Sequence, residues 1–320
     1  MPDNTTDRPL VTFALFAYNQ EKYIREAVEG AFAQTYQPLE IILSDDCSSD
    51  RTYEIMQEMA AAYKGPHELR VEQTAANLGR DTFGRRVSSL LVQAQGGLIV
   101  IAAGDDISEP DRVDALFQVW NENNRKAVCI HSKWQTIDEG GTVFGEEVGD
   151  NRIASVSLTE FVGHDGRGLL GATNAVSRKI IDQFGALPDV VLLEDGALGF
   201  RARLADGILF VPRALVKYRR HGGNLTNQAE LRDKESLERF VRGLTGQHAC
   251  YLRDYLESRQ VIDPEFIFAV SSRLGSLAKI LKMLDGNIWD RYRASLAYSS
   301  RLSFKRRLWL LLNVVGVRRN

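Results

Sequence analysis

Short apolar runs alternate with amphipathic stretches from residue 10 to residue 135 of the chain. The runs are rich in β-branched and aromatic residues, which is typical of buried strands. They occupy residues 11–16, 40–44, 69–72, 98–103 and 127–132. The stretches between them place apolar residues at helical spacing. Strands that alternate with helices form right-handed crossovers, so the pattern predicts an α/β fold with a Rossmann-like, mostly parallel central sheet flanked by helices.

Capping and breaking residues predict where the helices begin. Asn19 is expected to cap the first helix, Ser49 or Asp50 the second, and Pro110 opens a later one. Beyond residue 132 the pattern loosens, and from residue 227 the composition is helical. We therefore predict a catalytic domain over residues 1–226 and a helical region over residues 227–320.

Polar residues follow the predicted strands at the points where the strands end. They are Tyr18 and Asn19, Asp45 and Asp46, Asn77 to Arg80, and Asp105 and Asp106. The carboxyl ends of parallel strands meet at one edge, where open α/β sheets bind ligands. Gly104-Asp105-Asp106 is a favourable sequence for a turn. Two adjacent carboxylates also suit a hard divalent ion that is bound to phosphate oxygens at the same time.

Composition narrows the class of protein. The net charge of −2 argues against a protein that neutralises many nucleic-acid phosphates. The cysteines Cys47, Cys129 and Cys250 lack metal or redox spacing, which fits a reducing cytoplasm. The polar start of the chain does not resemble a signal peptide, and no apolar run has the length of a membrane span. No Gly-x-Gly-x-x-Gly follows the first strand, so a dinucleotide-type phosphate loop is not expected.

An ordered set of motifs resembles family 2 glycosyltransferases of the GT-A fold over about residues 10–225. The motifs are Phe16-Ala17-Tyr18-Asn19, Gln34-Thr35-Tyr36, the segment 40–50 with its Asp45-Asp46, Asn77-Leu78-Gly79, Gly104-Asp105-Asp106 and Glu194-Asp195. Two positions depart from the usual family pattern. Phe16 stands where the family usually has proline, and Cys47 stands where it usually has glycine.

The resemblance implies a nucleotide-sugar donor site at the sheet edge. Asp46 would accept a hydrogen bond from the nucleotide base, although a turn or N-cap aspartate is the structural alternative. Asp45, Ala17 and Tyr18 would line the same pocket. Asn77 would also belong to the donor site, and Arg80 would reach a phosphate unless it is a solvated surface residue.

The resemblance also implies a divalent metal. Asp106 matches the carboxylate that ligates Mn²⁺ or Mg²⁺, and Asp105 matches the acid that contacts the ribose or the water shell of the metal. His221 would ligate the metal or bond the diphosphate, assisted by Arg219 or Arg220, with a structural histidine as the alternative.

Asp195 matches the catalytic base of the family, and Glu194 would orient it or tune its pKa. The alternative is an acid pair that stabilises a helix N-terminus. Thr173 and Asn174 resemble the wall on the acceptor side. The resemblance as a whole implies a metal-dependent, inverting hexosyltransferase. It would move a sugar, most simply from a UDP-sugar, to a hydroxyl on a glycan or lipid-linked glycan during cell-surface polysaccharide synthesis.

The segment 301–320 carries basic residues, no acids and an apolar centre. Such a helix can lie on the inner face of the plasma membrane, or it can dock on its own chain or on a second subunit of a homodimer. Two further readings of the whole chain stay open. One is an inactive nucleotide-sugar-binding or scaffold protein, and the other is a nucleotidyltransferase, which would need a basic glycine-rich loop that residues 16–20 do not supply.

Overall fold

The computed structural model describes residues 8–77, 83–163, 169–191, 193–205, 207–224, 234–258, 261–287, 290 and 293. Its strands are β1 (Val11–Ala17), β2 (Leu39–Asp45), β3 (Glu68–Gln73), β4 (Leu98–Ala103), β5 (Ile107–Ser108), β6 (Cys129–Ile137), β7 (Ala175–Ser177) and β8 (Ile208–Arg219). Its helices are α1 (Ile24–Phe32), α2 (Thr52–Ala62), α3 (Phe83–Gln93), α4 (Arg112–Glu122), α5 (Leu158–Gly163), α6 (Lys179–Phe184), α7 (Glu194–Leu204), α8 (Lys234–Glu257) and α9 (Pro264–Leu284).

The described strands form one mixed sheet in the order β3-β2-β1-β4-β7-β6-β8-β5. The β2–β3, β1–β2, β1–β4 and β6–β8 pairs are parallel, whereas β7 runs antiparallel to both β4 and β6, and β5 runs antiparallel to β8. Because β7 is antiparallel to both neighbours, β6 and β8 run in the same direction as β4 and end at the same edge of the sheet. The predicted α/β fold with a mostly parallel sheet is confirmed.

Alternate residues of the central strands face two hydrophobic cores. Phe13 and Leu15 of β1 face the core that α1, α2 and α4 cover, whereas Ala14 and Phe16 face the core that α3, α5, α6 and α7 cover. Helices α8 and α9 extend the second core with Tyr251 and other apolar residues. The central strands are therefore buried on both faces, which leaves their ends as the accessible part of the sheet.

Asn19 does not cap the first helix, contrary to the sequence-based expectation. Helix α1 begins at Ile24, and its N-cap Tyr23 makes no capping hydrogen bond through its side chain. Asn19 instead adopts a left-handed φ of 50°, and its Oδ1 accepts the N–H of Ser49 at 2.8 Å. The residue thereby ties the loop after β1 to the loop after β2.

The C-terminal helices pack on the sheet domain rather than standing apart from it. Within the described ranges, no helix combines the length and the apolar character needed to cross a bilayer. The predicted boundary at residues 226 and 227, the basic segment 301–320 and Arg80 all lie outside the described residues.

Candidate active site

The loops after β1, β2 and β4 meet at the predicted edge. The N–H of Asp46 donates to the carbonyl oxygen of Ala17 at 2.9 Å, and the N–H of Gly104 donates to that of Phe16 at 2.8 Å. A Cβ on Gly104 would lie 2.7 Å from the Cβ of Ala17, so this close approach requires glycine. Three segments that are distant in sequence therefore converge on one edge.

Asp46 is nearly buried at this edge. Its carboxylate is 3.5 Å from the buried guanidinium of Arg86, and it accepts a hydrogen bond from Thr74 at 3.2 Å. The amide of Asn77 donates to the main-chain carbonyl of Asp46 at 3.1 Å. Tyr18, by contrast, is 46% exposed at the rim. This edge of the sheet thus combines an oriented carboxylate with an accessible aromatic ring.

Asp45 has its carboxylate turned into the loop that follows β2. Its oxygens accept the N–H of Ser48 at 2.9 Å and the side-chain amide of Gln73 at 2.8 Å, and the residue is fully buried. In this arrangement Asp45 fixes the shape of the loop beside Asp46.

Asp105 is held by two side chains from the segment after β8. Its Oδ2 accepts from Nε2 of His221 at 2.8 Å and from the amide of Asn224 at 3.3 Å. Nδ1 of His221 accepts the N–H of Gly223 at 3.1 Å, so both ring nitrogens are engaged within the protein. A metal bond from His221 would require its ring to leave one of these partners.

Asp106 keeps one carboxylate oxygen without a hydrogen bond. Its Oδ1 accepts the N–H of Arg219 at 2.8 Å, whereas its buried Oδ2 has no hydrogen-bond partner among the described residues. Burial, and then the charge of Asp105, raise the pKa of Asp106 well above its usual range. A cation at Oδ2 would compensate both effects, so this carboxylate fits a hard divalent ion.

The protein offers few other ligands for such an ion. No group of three or more His, Cys, Asp or Glu in the described ranges is arranged to hold a metal. Magnesium-type ions commonly take one or two carboxylates and complete their shell with water and substrate phosphates. The site therefore fits an ion that arrives together with a phosphorylated substrate.

Arg219 is structural rather than a phosphate ligand. It is fully buried, its Nε donates to the carbonyl of Asp105 at 2.9 Å, and its Nη2 donates to Glu26 at 3.0 Å. Of the two arginines offered as assistants of His221, Arg219 is therefore engaged within the protein in this arrangement. Arg220 is exposed beside His221 and remains the candidate for that contact.

Glu194 and Asp195 form the first turn of α7. Burial raises the pKa of Glu194 to about 8, with a further contribution from the charge of Asp195. Burial also raises the pKa of Asp195 to about 6, although N–H bonds from Gly196 and Gly171 oppose the shift. The acids thus lie at a helix N-terminus, as the alternative reading expected, while Asp195 has the pKa of a general base that works near neutral pH.

A 3₁₀ turn, Gly171–Thr173, connects the two acidic centres. Gly171 lies against the acid pair, since a Cβ on it would be 2.6 Å from Oε1 of Glu194 and 3.8 Å from the Cβ of Asp195, and the carbonyl of Ala172 accepts from Nη2 of Arg112 at 2.7 Å. The charge of Arg112 in turn lowers the pKa of Asp106. Asp106 and Asp195 therefore lie on the two sides of one short turn.

Two buried arginines at the site were not predicted as functional residues. They are Arg86 and Arg112, each of which, like Arg219, donates to main-chain carbonyls around the acidic loops. Arginine in an amphipathic helix or at the end of a strand is ordinarily assigned to the surface. The one sequence signal is an excess of acids at the edge, which needs buried cations to balance it.

The model of the family described as Glycosyl transferase family 2 matches residues 12–185, more than half of the chain. The architecture is that of GT-A glycosyltransferases. The chain belongs to glycosyl transferase family 2. Membership of this family supports a role in sugar transfer.

Relatives with similar sequences occur in bacteria. An uncharacterised protein of Mycobacterium tuberculosis is 28% identical over 219 residues, which cover 67% of this chain and 59% of the relative. This chain therefore spans a little over half of that protein. An uncharacterised glycosyltransferase of Rickettsia typhi is 24% identical over 258 residues, or 79% of this chain and 78% of the relative.

Solved structures share the fold at low sequence identity. TarS 1–349 of S. aureus in complex with UDP-GlcNAc has a TM-score of 0.58 and 17% identity, over 94% of this chain and 90% of the other. The mannosyltransferase PcManGT of Pyrobaculum calidifontis in complex with GDP-Man and Mn²⁺ has a TM-score of 0.57 and 16% identity, over 96% and 79% of the two chains. At these identities the likeness shows the architecture alone.

Proposed function

We propose that this protein is a metal-dependent, inverting glycosyltransferase that moves a sugar from a nucleoside-diphosphate sugar to a hydroxyl acceptor. The observation that carries the proposal is the convergence of Asp46, Asp105 and Asp106 at the sheet edge, across the 171–173 turn from Asp195. The three aspartates at the sheet edge suit a nucleoside diphosphate, and Asp195 suits an acceptor hydroxyl.

The contacts of Asp46 support a role in binding the nucleotide base. A carboxylate held by Arg86 and Thr74 can accept from the imide N–H of uracil, and such a charge-assisted bond is strong in a partly buried pocket. Tyr18 is exposed for stacking on the base. UDP is our first choice of nucleotide because S. aureus TarS, which has the same fold, is described with UDP-GlcNAc. Guanine is the second base to test, because PcManGT is described with GDP-Man.

Asp106 would hold the metal through its unpartnered Oδ2, and Asp105 would contact the ribose or the water shell of the ion. When bound, a divalent ion stabilises the negative charge that develops on the departing diphosphate. His221 and Asn224 fix Asp105, and Arg220 is the nearby cation for the phosphates. Mn²⁺ is the first ion to test, given the Mn²⁺ complex of PcManGT, with Mg²⁺ as the alternative.

Asp195 would take the proton from the acceptor hydroxyl as that oxygen attacks the anomeric carbon. With a pKa of about 6, Asp195 is mostly ionised at neutral pH, whereas Glu194, with a pKa of about 8, is mostly protonated. A protonated Glu194 keeps a second negative charge away from the base. Attack from the face opposite the diphosphate would invert the anomeric configuration.

The remaining features of the proposal concern the acceptor and the setting. We expect a glycan or lipid-linked glycan as acceptor, a cytoplasmic enzyme of cell-surface polysaccharide synthesis, and contact with the membrane, the chain's own core or a second subunit through residues 301–320. The division into a catalytic domain and a C-terminal helical region also remains part of the proposal.

A thermal-shift and calorimetric screen of nucleoside diphosphates with Mn²⁺ and Mg²⁺ tests the donor site. We expect UDP with Mn²⁺ to raise the melting temperature of the wild type. Asp106→Ala should lose the metal-dependent part of UDP binding, and Asp46→Ala should lose most of the total. Asp50→Ala, which changes an acid of the neighbouring loop, is the control. The absence of binding by every nucleotide would contradict the donor site, and binding without turnover would favour the scaffold reading.

A further inference from the structure

The last residue of β8, Arg219, is a fully buried cation beside the loop that carries Asp105 and Asp106. Three of its side-chain nitrogens donate hydrogen bonds in different directions. Nε donates to the carbonyl of Asp105 at 2.9 Å, and Nη2 donates to the carboxylate of Glu26 at 3.0 Å. Nη1 donates to the carbonyls of residues 138 and 139 at 3.3 and 3.0 Å. A buried charge is costly unless its neighbours compensate it, so this arrangement calls for a physical reason.

The acceptors of Arg219 come from three separate parts of the fold. Asp105 lies in the loop after β4, and Glu26 lies on α1. The carbonyls of residues 138 and 139 belong to the turn after β6, in which the N–H of Asp138 donates to the carbonyl of Thr142 at 2.9 Å. A planar guanidinium presents several donors from one rigid group. The side chain therefore fastens the acidic loop to α1 and to this turn at the same time.

The main chain of Arg219 holds the same loop at a second point. Its N–H donates to Oδ1 of Asp106 at 2.8 Å, while its side chain holds the carbonyl of Asp105. Asp106 thus has both its carboxylate and the peptide group before it fixed by one residue. Its buried Oδ2 has no hydrogen-bond partner among the described residues. The position of this oxygen consequently depends on Arg219.

We propose that Arg219 is a positioning residue for the divalent ion, which it serves by holding the 105–106 loop so that Oδ2 of Asp106 is presented to the metal. The inference rests on the proposed metal-dependent function. None of the hydrogen bonds of Arg219 described above involves Oδ2 of Asp106 or the carboxylate of Asp46. Arg219 acts on the metal site through the main chain of the loop.

The charge of Arg219 and its hydrogen bonds have opposite effects on a bound cation. A positive charge near a metal ion repels it, so loss of the charge alone should strengthen metal binding. Loss of the hydrogen bonds releases the loop and should weaken metal binding. A direct contact with the diphosphate would instead contribute to nucleotide affinity without metal. Nucleotide affinity measured with and without Mn²⁺ therefore separates the three roles.

The experiment is a calorimetric titration of UDP, or of GDP if the wild type binds that nucleotide instead, into the wild type and Arg219→Met. Methionine keeps an unbranched apolar stem and removes every side-chain hydrogen bond of Arg219. The gain in nucleotide affinity that Mn²⁺ gives should fall by roughly 10–100-fold, a typical cost of removing a group that orients a metal ligand. The affinity without metal should equal that of the wild type.

Arg213→Met is the matched control. Arg213 lies on the same strand and pairs with Asp111 at 2.8 Å, with both side chains about half exposed. The substitution removes the same charge at the surface. Arg213→Met should keep the wild-type affinity for the nucleotide with and without Mn²⁺.

Glu26→Ala and Glu26→Gln form a second pair of variants, in case Arg219→Met does not fold. The side chain of Glu26 is 47% exposed, so both substitutions are compatible with the fold. Both remove the same charge, but only glutamine keeps an oxygen that can accept from Nη2 of Arg219. The Mn²⁺-dependent gain should be about 3-fold smaller in Glu26→Ala than in Glu26→Gln, because a half-exposed ion pair contributes little.

An unchanged or larger Mn²⁺-dependent gain in folded Arg219→Met would overturn the positioning role. Lower affinity of this variant without metal would also overturn it, in favour of a phosphate contact. If Arg219→Met does not fold, equal gains in the two Glu26 variants would overturn the role. A wild type that binds neither nucleotide, or binds without regard to Mn²⁺, would instead contradict the proposed function. The two failures are therefore distinguishable in one series.

Discussion

Single residues around the site adopt a left-handed backbone conformation or bury a charge where the loops of the site meet. Cys47 follows Asp46 and adopts a φ of 54°, in the left-handed region that favours glycine. The sequence placed Asp46 and Cys47 correctly at the end of a strand. It could not reveal the buried arginines beside them, because burial of a charge depends on partners that are distant in the chain.

The strain at Cys47 gives a prediction for stability. Cys47→Gly should be more stable than Cys47→Ala by about 1 kcal/mol, because only the alanine retains a Cβ in the left-handed conformation. Urea unfolding of the two variants measures the difference. Equal stabilities would show that the loop relaxes this residue into another conformation.

At the scale of elements, the helix that carries the proposed base is fastened to the C-terminal helices. Arg201 of α7 and Asp254 of α8 form an ion pair of 2.8 Å in which both side chains are buried. Arg201 also donates to the carbonyls of Phe184 and Gly185, where α6 ends. The sequence predicted a helical region from residue 227, but it gave no sign of this link to α7.

Removal of one partner of this pair should be strongly destabilising. We expect Asp254→Ala to lower the free energy of unfolding by roughly 3–5 kcal/mol, because it leaves the guanidinium of Arg201 buried without its carboxylate. Chemical denaturation measures this loss. Glu238→Ala, which removes an i,i+4 pair with Arg242 on the outer part of α8, should cost only about 0.5 kcal/mol. Similar losses in the two variants would contradict the structural role of the buried pair.

For the whole molecule, the sequence predicted the parallel βα units well because each strand is a continuous apolar run with a helix beside it. It missed that β7 runs antiparallel to both of its neighbours, because a three-residue strand after a glycine-rich segment has no periodicity to detect. The predicted convergence of Asp46, Asp105 and Asp106 followed from topology, because strand ends share an edge. The 171–173 turn between Asp106 and Asp195 depends on tertiary hydrogen bonds and could not be read from one sequence.

The most direct test of the central proposal is the pH dependence of nucleotide-sugar turnover in the wild type and in Asp195→Asn. Burial raises the pKa of Asp195, and a base works only when deprotonated, so kcat/KM of the wild type should rise with pH through a midpoint near 6. Asp195→Asn should bind UDP as the wild type does and lose turnover by at least about 100-fold at every pH. Turnover by Asp195→Asn at the wild-type rate, with the same acid limb, would contradict the assignment of Asp195 as the base.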